Sequence, residues 1–137
     1  MKPIQSVLEN RTDEFDRFKD YAQRFGFTLG GNWDYDHGSF DRALDEANKV
    51  WLRLPFEVIR GRLEGGESTN TGTQIQFGQP YVLKHLYNEG LDAEAVPRTY
   101  GALVDQFQDP VDKDADVEEH WVNRGTELLR QVERGLA

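Results

Sequence analysis

Apolar side chains recur along the chain with two distinct periods. Phe15, Phe18, Tyr21, Ala22 and Phe25 fall at helical spacing and form one aromatic stripe. Thr12 stands before them in the position of an N-cap, Asp13 and Glu14 occupy the first turn, and Gly26 is placed to end the helix. Residues 2–9, with Ile4, Val7 and Leu8, read as a short extended lead-in. After Gly26 the period changes to two. Phe27, Leu29, Gly31, Trp33 and Tyr35 share one parity, the signature of a strand. Asp36 to Ser39 has turn chemistry, with Gly38 the residue expected to take a positive φ. A return strand from Phe40 to Asp45 follows, then a turn at Glu46-Ala47-Asn48.

The next strand is the longest. Val50, Leu52, Leu54, Phe56 and Val58 alternate without a fault, and Pro55 among them points to an edge position or a bulge. Glu64 to Gly72 is the best loop in the chain, rich in Gly, Ser, Thr and Asn. Alternation resumes from Thr73 to Phe77, breaks at Gly78-Gln79-Pro80 as a bulge or bend, and continues with Tyr81, Leu83, His85 and Tyr87 on one parity. From Asn88 to Ala115 the pattern predicts an ordered loop. The last helix carries Trp121, Gly125, Leu128, Leu129, Val132 and Leu136 on one face, with Asp116 and Glu119 in a pattern like a capping box.

The predicted order is β-α-β-β-β-β-α over residues 1–137 as a single domain. Hairpin-length links make the sheet antiparallel, and helices at both ends of the strand run predict an α+β fold in two layers. The long strand is aliphatic on its even face yet has Trp51 on the odd one, and the Tyr81–Tyr87 strand is apolar on both. A sheet apolar on both sides needs two covers. Helices supply one; the Asn88–Ala115 loop or a second subunit must supply the other, and a homodimer is the expectation.

Charge narrows the partners. The net charge is -9, from 16 basic and 25 acidic residues, and the segment Asn88–Trp121 holds ten of the acids against two bases. Such a segment repels a phosphate backbone and an anionic membrane, so neither nucleic acid nor a membrane is the expected partner. There is no cysteine, which removes disulfides, thiolate metal sites and cysteine nucleophiles. Met1 to Asn10 has no long apolar run after a basic start and no stretch has the length of a membrane span, so the expected location is the cytoplasm.

Candidate chemistry is sparse. Asp34 and Asp36 share a side of a strand with His37 beside them, a set able to ligate a divalent metal, with His85 as a further ligand. A polar hairpin end explains the same residues. Asp112 to Asp116 begins like a calcium loop, but Val117 stands where glycine is required and Asn123 where glutamate is. Lys49, Arg53, Arg60 and Arg62 form a basic stripe, a candidate anion or carboxylate site that is read more readily as a solvated face or a partner for the acidic segment. Trp33, Tyr35, Trp51 and Tyr81 are candidates for an aromatic pocket wall, although such residues are more often simple core. No nucleophile elbow, phosphate loop or dinucleotide fingerprint occurs, and no cofactor is expected.

Several segments together carry a resemblance. Gly31 to Asp41 (GNWDYDHGSFD), Leu54-Pro55-Phe56, the stretch from Gly78-Gln79-Pro80-Tyr81 to Gly90-Leu91-Asp92, and Gln106-Phe107 with Pro110-Val111-Asp112 resemble, in this order, the YugN-like family of small bacterial proteins. The resemblance implies an antiparallel sheet packed by helices, in the manner of TATA-binding-protein-like domains. It implies no activity and no functional residues. The function expected is therefore a non-enzymatic binding or interaction protein, with a metal-binding domain or metal-assisted hydrolase centred on Asp34, Asp36 and His37 as the alternative.

Overall fold

The computed structural model describes residues 1–31, 34, 36–61, 63–64, 67–68, 72–84 and 117–136. The architecture is α+β. Strands β1 (Lys2–Pro3), β2 (Thr12–Glu14), β3 (Thr28–Leu29), β4 (His37–Ala43), β5 (Val50–Arg60), β8 (Gln74–Phe77) and β9 (Tyr81–Lys84) form one open sheet. Strands β6 (Leu63–Glu64) and β7 (Glu67–Ser68) form a separate small ladder that runs into the segment expected to be loop. Every pairing among these strands is antiparallel. The two helices are α1 (Phe15–Gln23) and α2 (Glu119–Leu136). Among the described residues no helix is long and apolar enough to cross a membrane.

The eleven residues of β5 lie at the middle of this sheet. On one side β5 pairs with β4; on the other its first half pairs with β9 and its second half with β8. Gly78, Gln79 and Pro80 bridge the two partner strands, spanning the gap between the pairs Phe56↔Phe77 and Arg53↔Tyr81. Only Leu54 and Pro55 face these three residues, so the partner side bulges. Pro55 sits opposite the break. Its carbonyl accepts from Gly78 N–H at 2.9 Å, so its missing N–H faces the side where regular pairing has already stopped. The bulge, not an edge position, accommodates this proline.

The N-terminal segment flanks the same broken strand. β1 pairs with β9 and β2 with β8, and residues 5–11 swing outward between them beside the bulge. Ile4 N–H donates to Pro80 O and Asn10 N–H to Phe77 O, while Ser6 and Gln5 are tied to Glu133 and Arg130 of α2. Thr12 is therefore a strand residue, not a helix cap. The helix begins after Glu14, whose side chain makes no capping bond. The chain's far end of α1 is as expected: Gly26 takes φ +84°, its N–H reaches Gln23 O, and Phe27 N–H reaches Ala22 O. These are the two bonds of a Schellman closure. Gly38 differs from expectation. It lies inside β4 opposite Phe56 and has no positive φ. Asp116, expected to cap the last helix, lies outside the described residues, as do His85 and Tyr87.

Both helices cover one face of the sheet. Phe15 and Phe18 of α1 meet Phe40, Phe56 and Phe77, with ring centroids between 4.6 and 5.8 Å apart. Leu129 and Val132 of α2 join the same core, with Leu52, Leu54, Ile75 and Val82 from the strands. Each fully buried aromatic or aliphatic side chain of this set contributes on the order of 1.5–3 kcal/mol relative to exposure. Tyr21 O–H donates to Val132 O at 2.7 Å and links the helices.

Helix α2 approaches the sheet through Gly125. A Cβ there would lie 2.7 Å from Val82 Cγ2 and 3.3 Å from Leu44 Cδ1. Alanine normally favours a helix interior over glycine by about 1 kcal/mol, whereas overpacking costs about 1–3 kcal/mol. Gly125→Ala is expected to lower stability by about 1 kcal/mol net, measured by urea unfolding; an increase in stability would mean that α2 does not rest on β9 this closely.

Candidate functional site

The turn that joins β4 to β5 fixes what faces what. Asp45 Oδ1 accepts from Lys49 N–H and Val50 N–H, both at 2.9 Å, and Asn48 takes φ +58°, a conformation that asparagine tolerates. The pairing centred on this turn sets Ala43 opposite Trp51, Asp41 opposite Arg53 and Ser39 opposite Pro55. All six lie on the face away from the helices. From the other side of β5 come Leu83, opposite Trp51, and Tyr81, opposite Arg53.

Asp41, Arg53 and Tyr81 form a row across three strands. Arg53 Nε donates to Asp41 Oδ1 and Nη2 to Asp41 Oδ2, each at 3.1 Å, a two-bond fork. Nη1 reaches Tyr81 Oη at 3.4 Å, and the guanidinium carbon lies 6.0 Å from the Tyr81 ring centroid. The pair is withdrawn from water: the Asp41 side chain is 9% exposed and that of Arg53 17%. Burial is the largest single influence on Arg53 and works against its charge; the hydrogen bond and charge of Asp41, then those of Tyr81, outweigh it and raise the pKa above its ordinary value. Leu83 is buried beside this row yet stands outside the main core cluster, and Ser39 is buried with a hydroxyl that has no hydrogen-bond partner. Trp51 is half-buried and donates its Nε1–H to Asn48 O at 2.9 Å.

Of the expected site residues, the fold thus brings Trp51, Arg53 and Tyr81 onto one surface. The basic stripe does not form as a unit. Arg53 is neutralised by Asp41 across the hairpin, Arg60 and Lys49 are exposed, and Arg62 lies outside the described residues. Trp33, Tyr35 and His85 also lie outside them, as does the greater part of the acidic segment. Asp41 and Ser39 were missed. The signal for Asp41 was present: a turn centred on Ala47 sets residue 41 opposite residue 53.

The Asp34–Asp36–His37 set stands at the other end of the β3–β4 connection. Each residue offers a ligand atom, and these atoms lie within 4.8 Å of one another, all three side chains being exposed. Asp36 Oδ1 and His37 Nδ1 are 2.8 Å apart. His37 also borders a concavity of about 440 Å³ at the bulge, with Asn10, Pro55, Glu57, Gln76 and Gly78. Trp51 and Tyr81 do not line it.

A sequence model described as the YugN-like family matches residues 3–136. The chain is 25% identical over 134 residues to the uncharacterized protein YugN of Bacillus subtilis (strain 168), covering 97% of this chain and 96% of that protein. It is 28% identical over 118 residues to a leucine–tRNA ligase of Dichelobacter nodosus, a match that spans 78% of this chain but 12% of that protein. Among solved structures, the crystal structure of the uncharacterized conserved protein YugN from Geobacillus kaustophilus HTA426 superposes with a TM-score of 0.52 at 24% identity. That alignment covers 98% of this chain and 99% of the other.

The buried, unpartnered hydroxyl of Ser39 gives a prediction of definite sign. Removing an unsatisfied buried polar atom relieves its desolvation, so Ser39→Ala is expected to stabilise the protein by about 1 kcal/mol in urea unfolding. A loss of stability of similar size would mean that the hydroxyl is hydrogen-bonded in solution.

Proposed function

The chain belongs to the YugN-like family, and from that premise we propose that it is a non-enzymatic binding or interaction protein that works through the sheet face opposite its helices, as a homodimer. One observation carries the reading. Around β5's first half that face is poor in free charge: the Asp41–Arg53 pair there is internally neutralised, and Trp51, Pro55, Tyr81 and Leu83 surround it. Asp41, Ser39 and Leu83 stand on this face, away from the two helices. A surface of aromatic side chains with a neutralised arginine has the composition of an interface centre. The covering by residues 88–115 that the parity pattern also allows lies outside the described residues.

In this reading the sheet-and-two-helix architecture is arranged as in TATA-binding-protein-like domains without their role on DNA. A net charge of -9 opposes a polyanion, and the fold alone carries no function. The same charge opposes an anionic membrane, and a cytoplasmic location accords with it.

A second reading rests on the convergence of Asp34, Asp36 and His37, which suits a divalent metal bound at an exposed hairpin end, alone or in support of hydrolysis. Native mass spectrometry of the full chain, purified without chelator, separates the two. The expected result is a species of twice 15.8 kDa with no added mass, which Trp51→Glu or Tyr81→Glu converts to a folded monomer. A monomer throughout the micromolar range would overturn the dimer. A stoichiometric metal adduct lost in His37→Ala would favour the second reading.

A further inference from the structure

Far from the sheet face just described, a concavity of about 350 Å³ opens between α1 and the last turn of α2. Three arginines line it, Arg11, Arg17 and Arg24, together with Asp13 and Asp20. In a chain with nine more acids than bases this is a local excess of positive charge. Phe18, Tyr21, Gly135 and Leu136 complete the lining.

The arginines are not equivalent. Arg17 Nε lies 3.5 Å from Asp13 Oδ1, an i,i+4 pair with the Arg17 side chain largely exposed. Asp13 is buried and also accepts Glu14 N–H at 2.8 Å, so its charge is already occupied. Arg11 and Arg24 make no ion pair with a described residue, and Arg11 Nε is buried with no hydrogen-bond partner. Arg11 is held in this position from both sides of its backbone: its N–H donates to Leu8 O at 2.8 Å and its carbonyl accepts from Phe77 N–H at 2.9 Å. A buried guanidinium N–H without an acceptor is unfavourable. The ends of both helices are near, and their carbonyls favour cations there. That accounts for Arg24 at the end of α1. It does not account for Arg11, which belongs to no helix.

We propose that this concavity is a binding site for a small organic oxyanion, a phosphate or carboxylate seated between Arg11 and Arg24, with an apolar or aromatic body resting on Phe18, Tyr21 and Leu136. The volume lies at the small end of the range of ligand sites, which suits one ring and its anionic group. The arginine fork supplies the planar two-bond geometry that an oxyanion accepts. The fixed backbone of Arg11 reduces the ordering that binding requires. Tyr21 reports on the same field: burial is the largest influence on its phenol and raises its pKa, while Arg24 and then Arg11 pull it down. Both arginines therefore act on a residue that lines the site.

Phenyl phosphate, benzoate and inorganic phosphate are the probes, titrated into the full-length chain and followed by amide chemical shifts. Saturable shifts at Phe18, Tyr21, Arg24 and Gly135 with phenyl phosphate or benzoate are expected, and the better of the two names the anionic group. Arg11→Lys keeps the charge but not the fork, and is expected to weaken binding about tenfold while the spectrum stays folded. Arg60→Ala, on the exposed end of β5, is expected to leave binding unchanged. No saturable shift with any probe at millimolar concentration would overturn the proposal. Equal weakening by Arg60→Ala and Arg11→Lys would also overturn it, because the effect would then be one of general charge.

Discussion

The alternation of β5 is the constraint on which the rest of the molecule depends. Val50, Leu52, Leu54 and Phe56 are buried against the helices, and Trp51, Arg53 and Pro55 occupy the other face. A slip of one residue in its pairing would carry Arg53 into the aromatic core and Phe56 out of it. Three partner strands read their register from this one strand, and the N-terminal segment reads its own from two of them. The Asp41–Arg53 fork holds the same register from the opposite face. Two charges taken out of water work against folding, and only good geometry offsets that. The pair therefore contributes less to net stability than to choosing one pairing over its neighbours, since in a slipped register each charge would lose its partner.

Much of this was legible in the residues, and the exceptions have a common cause. The β5 pattern, the break at Gly78–Pro80, the closure of α1 by Gly26 and the buried stripe of α2 are local signals, and each was read from its own segment. Thr12 was misread because Thr-Asp-Glu before an apolar stripe has the chemistry of a helix start. Its pairing with Gln76 is made by a strand more than sixty residues away, which no local signal contains. Gly38 was misread in the same manner: glycine in a polar run suggests a turn, but here it lies flat in β4 opposite Phe56. The segment 64–72 was read as the loop at a long hairpin's tip, and the short β6–β7 ladder, which starts at Leu63, runs into it.

The candidate surfaces show the same division. Trp51, Arg53 and Tyr81 were each suspected separately, and the register brought them together. Asp41 escaped notice because an acid in a strand looks solvated until its cross-strand neighbour is known. The arginine-lined concavity was still less visible. Arg17 and Arg24 are two helical turns apart, which places them on one face of α1, but Arg11 joins them only because β2 pairs with β8 and delivers the start of the helix beside it. An acidic total of -9 also drew attention to the acids and away from three arginines near one another.

A double-mutant cycle of Asp41→Ala and Arg53→Ala, measured by urea unfolding, tests the central role of the second face most directly. If the fork is a buried and specific cross-strand link, either single substitution strands a charge and costs about 3 kcal/mol, and the double variant loses little more than one of them, giving a coupling of about 2–3 kcal/mol. Single losses that add to within about 0.5 kcal/mol would contradict this, and would make the pair an ordinary surface contact.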